Sequence, residues 1–271
     1  MKLSKLGGCA IVLGLSQLPL TSTATDLEQS RGDESVNMVE EFSTKQGAVR
    51  YIDQLKANKQ TKKGRDKEEV LGELAHVYEY YSERHAKGPN TRKASLKEAF
   101  NHYHLATEMA LERGDIKYTN ELSYLAVDLN DKDLLVRTFE GILSRTNSEK
   151  GRYLAHIDYA DGLAKFNDLN ADYHFGAAVS MKKPVEGVEA HYRYAKYLLD
   201  VGRKDDALDI LGRFTKEERS MYGNIAVLRQ QIMRDSGMDT MEVDREIHKL
   251  RKGWSGKSGM ILSEVKKLSA V

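Results

Sequence analysis

Cysteine occurs once, at Cys9, and proline three times, at Pro19, Pro89 and Pro184. So few cysteines exclude a disulfide scaffold. So few prolines exclude collagen-like and mucin-like stalks, and they leave long stretches free to be helical. Tryptophan is also single, at Trp254. Neither sign of charge dominates: 42 lysines and arginines face 41 aspartates and glutamates, a formal net charge of +1. A nearly neutral chain has no whole-molecule attraction for phosphate backbones, so no nucleic-acid partner is expected. Past residue 24, no apolar run approaches the roughly 20 residues that a membrane-spanning helix needs. The composition does supply a core, because 40% of the 271 residues are hydrophobic.

The first residues read as an address. Lys2 and Lys5 precede the apolar run 6–20, and Ser22 and Ala24 occupy the two positions that a signal peptidase reads. The pattern predicts a secretory signal peptide over 1–24, cleaved after Ala24. The run is about fifteen residues, too short for a membrane anchor. Leu6-Gly7-Gly8-Cys9 differs from a lipoprotein box, since most of the apolar run comes after the cysteine instead of before it. Cleavage would remove the only thiol, leaving no nucleophile, metal ligand or disulfide of that kind. It would also remove Lys2 and Lys5, taking the net charge from +1 to −1. Export across an inner membrane, most simply to the periplasm, is the expected destination.

Beyond the leader the pattern is helix after helix. Residues 25–65 are expected to be a polar leader and one helix. Ser43-x-x-Gln46 would open that helix, and it carries Val49, Ile52 and Leu55 on one face. The basic segment 56–65 reads as a solvated loop. Asp66-x-x-Glu69 opens a helix that stops before Gly88-Pro89-Asn90, and Ser95-x-x-Glu98 caps the next one. Further helices are expected at 116–129, 132–145, 149–165, 169–181, 186–201, 204–214, 217–235 and 240–251. An amphipathic helix is expected at 259–269, with Ile261, Leu262, Val265 and Leu268 on one side. It would cap the far end of the fold, joined by a flexible connection that begins at Gly253. No period-two run appears, so the fold class is all-α.

An internal repeat organises these helices. Ala155-His156-x-x-Tyr159-Ala160-x-x-Leu163 recurs as Ala190-His191-x-x-Tyr194-Ala195-x-x-Leu198, 35 residues later, and the same step back from Tyr159 reaches Tyr124. Thirty-five residues is about the length of two helices and two short turns, the period of an α-solenoid of antiparallel helix pairs. Residues 188–219 resemble a tetratricopeptide repeat. Ala195 matches the small residue of its first helix, Gly202 the turn glycine, and Ala207 the small residue opening its second helix. Leu198, Leu211 and Phe214 match further core positions. Ala99, Tyr103 and Ala106 give 96–110 the look of another second helix. The resemblance, shared with the Sel1-like near relatives, extends over roughly 66–236, within a repeat region bounded at 66–252. It implies a right-handed superhelix whose concave face, lined by the first helices, holds a protein or peptide partner.

Chemical motifs are few. His102 and His104 lie two apart on a helix and point in different directions, so they cannot share an ion. His156 and His191 sit on the repeated stripe, where a structural role is expected. Gly253 to Ser258 ends like a phosphate-binding loop but lacks the first glycine, because position 251 is Arg251, and no strand precedes it. No catalytic set, metal or cofactor is therefore expected. Lys249, Arg251, Lys252 and Lys257 make a basic patch that could touch anionic headgroups. Trp254 beside it would anchor the end of the fold or serve a partner. In the repeat register, Leu122, Ile157 and Tyr192 are expected to face the concave side, with Ala126, Asp161 and Lys196 one turn on. A surface of that composition suits an apolar peptide or helix, for which the chain's own 36–56 region is one candidate. The expected role is an extracytoplasmic interaction scaffold or adaptor in an envelope assembly or secretion system. The alternative is an enzyme, or the regulatory subunit of an envelope enzyme, with a site assembled across repeats.

Overall fold

Runs of good helix formers, interrupted only at short turns, fold as expected. The computed structural model describes residues 44–183 and 186–254, and no strand occurs among them. Twelve helices succeed one another in the described residues. They are α1 (Lys45–Thr61), α2 (Gly64–Arg84), α3 (Pro89–Leu111), α4 (Thr119–Asp128), α5 (Lys132–Arg145) and α6 (Glu149–Lys165). Then come α7 (Asn170–Met181), α8 (Val188–Asp200), α9 (Lys204–Gly212), α10 (Lys216–Met221), α11 (Gly223–Asp235) and α12 (Met241–Trp254). The fold is all-α. The signal peptide, residues 25–43 and the helix expected at 259–269 lie outside the described residues.

Several boundaries differ from the sequence reading, each for a local reason. The segment 56–65 is mostly helix: α1 runs to Thr61, and only Lys62 and Lys63 separate it from α2. Ser95 caps nothing. Gly88, with φ 90°, turns the chain so that Pro89 takes the first helical position, where its missing N–H is no loss. Ser95 sits inside α3 and donates its hydroxyl to the Thr91 carbonyl at 3.1 Å. The helix expected at 217–235 breaks at Tyr222 into α10 and α11. Gly253 and Trp254 belong to α12 and not to a connection.

One stop signal recurs at the ends of three helices, α4, α6 and α8. Asn130, Asn167 and Gly202 have φ of 53°, 55° and 82°. Beyond each, the next N–H reaches back over the turn: Asp131 to Ala126, Asp168 to Leu163 and Arg203 to Leu198, at 2.8–3.0 Å. This is the Schellman arrangement, and it satisfies carbonyls that the helix end leaves without partners.

Between these stops the helices pack locally. From α1 to α9 each helix contacts the next, while α4 also packs on α6, and α6 on α8. Every helix contact among the described residues joins elements no more than three apart in the chain. The small residues of the repeated stripe make close approach possible. Ala155, Ala160, Ala190 and Ala195 are completely buried. At Gly162 in α6, an added Cβ would stand 2.6 Å from Ser123 Oγ on α4 and 2.8 Å from the Leu135 methyls on α5. Between them Phe139, Phe175 and Phe214 fill the core without exposure. Helix α1 is held apart from this core: Ile52 and Leu55 pack on Leu74 and Val77 of α2 in a cluster of their own. The described part of the chain's 36–56 region therefore packs on α2 instead of occupying a groove.

Beside this small cluster lies a polar misfit. His102 on α3 is 6% exposed, stacks on Tyr78 at 5.7 Å, and finds no hydrogen-bond partner for either ring nitrogen. Glu98 approaches it only to 3.9 Å. Burial, with Lys56 and Lys59 nearby, pushes its pKa down to about 4. Because the folded pKa lies below the ordinary 6.5, the unfolded chain binds more protons, and stability from this residue falls as pH drops from about 6.5 to 4. His102→Phe should therefore stabilise the protein, more at pH 5 than at pH 8, in denaturant titrations at the two pH values. An equal effect at both would contradict a buried neutral imidazole.

Candidate functional site

Three helices, α4, α6 and α8, stand side by side and leave a groove of about 630 Å³ between them, with Asn224 of α11 at its edge. Its residues keep the 35-residue step: Ser123 and Arg193 are two steps apart, Val127, Gly162 and Tyr197 succeed one another, and Asp161 precedes Lys196. Of the sequence-derived site residues, the fold brings Asp161, Tyr192 and Lys196 together here. Leu122 and Ile157 are not in the groove. They are 0% and 2% exposed and belong to the core, as does the fully buried Ala126. On α4 the groove is lined by Ser123 and Val127, one position on from the expected Leu122 and Ala126, while on α6 and α8 the expected Asp161, Tyr192 and Lys196 do line it.

The floor is an ionic network. Thr119 donates its hydroxyl to Asp158 Oδ2 at 2.5 Å, and Arg193 reaches Asp158 Oδ1 at 3.4 Å. The same guanidinium pairs with Asp161, and its Nε donates to Glu189 Oε1 at 2.6 Å. Three carboxylates thus share one cation. Burial is the largest influence on Asp158 and pushes its pKa up to about 6, against the pull of Thr119 and Arg193. Burial also raises Asp161. Lys165 and Lys196 stand exposed on the rim, the latter 5.9 Å from the Tyr192 ring centroid.

The rim carries what the sequence reading missed. Tyr124, Leu169 and Val201 line the groove and are 57%, 83% and 49% exposed, among the few large apolar side chains that face water. The step of 35 that reaches Tyr124 from Tyr159 was a usable signal, yet the two differ. Tyr159 is buried by Phe139, stacked at 5.1 Å, and by His174, at 4.4 Å, while Tyr124 has no such cover.

Other polar groups lie apart from the groove. His156 Nδ1 is 2.9 Å from His174 Nδ1, so one ring donates to the other. His191 donates to the Gly187 carbonyl at 2.8 Å and meets the Phe214 ring edge-on. No group of three or more metal-ligating side chains occurs among the described residues. The side chains of Lys249, Arg251, Lys252 and Trp254, and the whole of Lys257, lie outside them. No helix of the described residues is long and apolar enough to cross a membrane.

Glu79 on α2 is a second carboxyl under strain. Burial, together with the charges of Glu83, Glu121 and Asp128, pushes it up to about 7, although the Tyr103 hydroxyl lies 3.5 Å away. Its raised pKa means that stability is fullest below about 4.5 and is lost as pH rises through 7. Glu79→Gln should therefore raise stability at pH 8, by about 1–2 kcal/mol, and leave it unchanged at pH 4.5. Thermal melts at the two values test this, and an equal gain at both would show that the carboxyl is not charge-stressed.

Comparison of the chain with protein-family models, with curated proteins and with solved structures finds no match.

Proposed function

We propose that the protein is an extracytoplasmic interaction scaffold or adaptor built as a tetratricopeptide-like α-solenoid of antiparallel helix pairs. The observation that carries this reading is the groove across α4, α6 and α8, rimmed by Tyr124, Leu169 and Val201. Exposed apolar side chains cost free energy in water, and several of them around one concavity mark a surface made to be covered. The solenoid reading draws support from the 35-residue step of the groove residues and from contacts that, among the described residues, join helices no more than three apart. It also draws support from Ala195, Ala207, Leu198, Leu211 and Phe214, buried where the repeat needs them, and from the turn at Gly202. The ligand is a protein or peptide segment that places apolar side chains on the rim and polar groups over the Arg193 network. The leader over 1–24 points to the periplasm and to a role in envelope assembly or secretion.

The test is a double variant on the rim. Tyr124→Ala with Leu169→Ala removes exposed rings and methyls, so melting should change little. Chemical crosslinking in intact cells, with affinity capture afterwards, should recover a partner with the native chain and lose it with the variant. Retention of the same partner by the variant would overturn the groove as the docking site. Sequencing the mature N-terminus should begin at Thr25, and an uncleaved Met1 would remove the export assignment.

A further inference from the structure

We propose that His156 and His174 form a two-coordinate site for Cu(I), the monovalent copper ion, held between α6 and α7. The site lies apart from the groove and is tested independently of it. Helix α6 buries Ala155, Tyr159 and Ala160, and α7 buries Ala171, Phe175 and Ala178. Packing of those faces leaves His156 and His174 opposite each other on the seam, both partly exposed. Their Nδ1 atoms are 2.9 Å apart and their ring centroids 5.1 Å apart. That centroid distance is close to the greatest that two imidazoles can have when they meet through atoms 2.9 Å apart. The two Nδ1 lone-pair directions therefore point almost straight at each other.

Repeat packing does not require this pair. One step of 35 residues on, His191 and Asp209 hold the corresponding positions. His191 turns instead to the Gly187 carbonyl and to Phe214. One step back, the positions hold Glu121 and Phe139. His174 is thus a place where this unit departs from its neighbours.

The chemistry of the seam favours one class of ion. Burial holds both rings below the ordinary histidine pKa, His174 down to about 4, so both are neutral near pH 7. In the free pair, one Nδ1 donates its proton to the other. When that ring carries its proton on Nε2 instead, both Nδ1 lone pairs are available and no proton is lost overall. Two collinear donors suit a d10 ion content with two ligands, as Cu(I) is. They do not supply the tetrahedron of Zn(II) or the square plane of Cu(II). At about 2 Å for each metal–nitrogen bond, the nitrogens part by about 1 Å, a movement open to partly exposed side chains. The Tyr159 ring is centred 4.4 Å from that of His174, and the Tyr173 ring 5.0 Å from it. Aromatic faces attract a cation and shield it from further water ligands. Because both imidazoles are neutral, a single positive charge is easier to hold there than a double one.

The experiment uses the full chain carrying Cys9→Ser, without a polyhistidine tag, in anaerobic ascorbate. Cu(I) is supplied as its coloured bicinchoninate complex. The protein should withdraw one equivalent of copper and bleach the complex in proportion. His156→Phe and His174→Phe should each weaken the binding by more than the roughly 10–100-fold that losing a supporting partner costs a metal site. His76→Ala, exposed on α2, should change nothing. X-ray absorption of the loaded chain, which needs no histidine variant, should show two nitrogen neighbours and no sulfur. A complex that stays unbleached would overturn the proposal. So would equal bleaching by the two phenylalanine variants with their circular dichroism unchanged. Sulfur neighbours, as from the exposed Met238 and Met241, would place the copper elsewhere and overturn it as well. Zn(II) that occupies the pair and resists displacement by Cu(I) would do the same.

Discussion

Ala195→Trp is expected to lower stability by about 3 kcal/mol or more, a fall in the melting midpoint of roughly 10 °C. Ala195 has no solvent exposure and belongs to the main core. Its helix, α8, is surrounded by α6, α7, α9 and α11. A methyl group there lets the neighbouring helices close, and an indole ring has nowhere to go without prising them apart. Ala195→Ser, which adds one small atom, should cost far less. Thermal melts monitored by circular dichroism would settle the matter. An unchanged midpoint in the tryptophan variant would mean that Ala195 does not lie in a helix-helix contact at all.

The second large effect comes from charge and not from volume. Arg193→Ala leaves Asp158 and Asp161 without their shared cation inside a half-closed floor. Removing one partner of a buried pair is far costlier than never having had it, and about 3 kcal/mol is the expected loss at pH 7.5. Glu189 is exposed and contributes little to that figure. The carboxyls set the sign with pH. Asp158 already titrates near 6, and without the guanidinium it will titrate higher still. The unfolded chain keeps its carboxyls ionised in that range, so the variant regains stability as pH falls towards 5. Arg193→Lys should sit between the two, because one ammonium cannot span three carboxylates. Urea midpoints at pH 7.5 and 5 give the comparison, and a deficit equal at both would show that the carboxylates are not the cause.

Much of the architecture was legible because helical periodicity is a local signal. The helices 132–145 and 149–165 were placed to the residue, and the repeated alanines correctly marked tight packing. The turn at Gly202 was readable because glycine announces it, whereas Asn167 performs the same turn with a residue that also occurs elsewhere. Ser95 misled because a capping-box spacing can occur inside a helix, and here Gly88 and Pro89 had already started one. The segment 56–65 misled because its lysines looked like a loop, although lysine is a good helix former and Ile52 and Leu55 anchor the helix from within.

The candidate site was legible only in part. The register argument found Asp161, Tyr192 and Lys196, but it put Leu122 and Ile157 on the wrong side. Helix positions one apart differ by about 100°, so a small error in the assumed face exchanges core for groove. The periodicity itself could not say which of Tyr124, Tyr159 and Tyr194 would remain uncovered. That depends on Phe139 and His174, which other helices bring to Tyr159 alone. Arg193 and its three carboxylates were beyond reach for a related reason. Glu189 is a local i, i+4 partner, but Asp158 and Asp161 belong to another helix.

The restriction of contacts to near neighbours has a mechanical consequence. Among the described residues no helix contact joins elements more than three apart, so under tension no long-range clasp among them would have to fail before anything else could move. On the solenoid reading proposed above, helix pairs would peel away one after another, each freeing a unit of about 35 residues and so releasing roughly 12 nm of chain. Stretching between two attachment points would give a train of small, similar force drops in place of a single rupture. Between such events the groove would open and narrow with the bend of the stack, so that tension on the molecule and grip on whatever the groove holds would be two readings of one deformation.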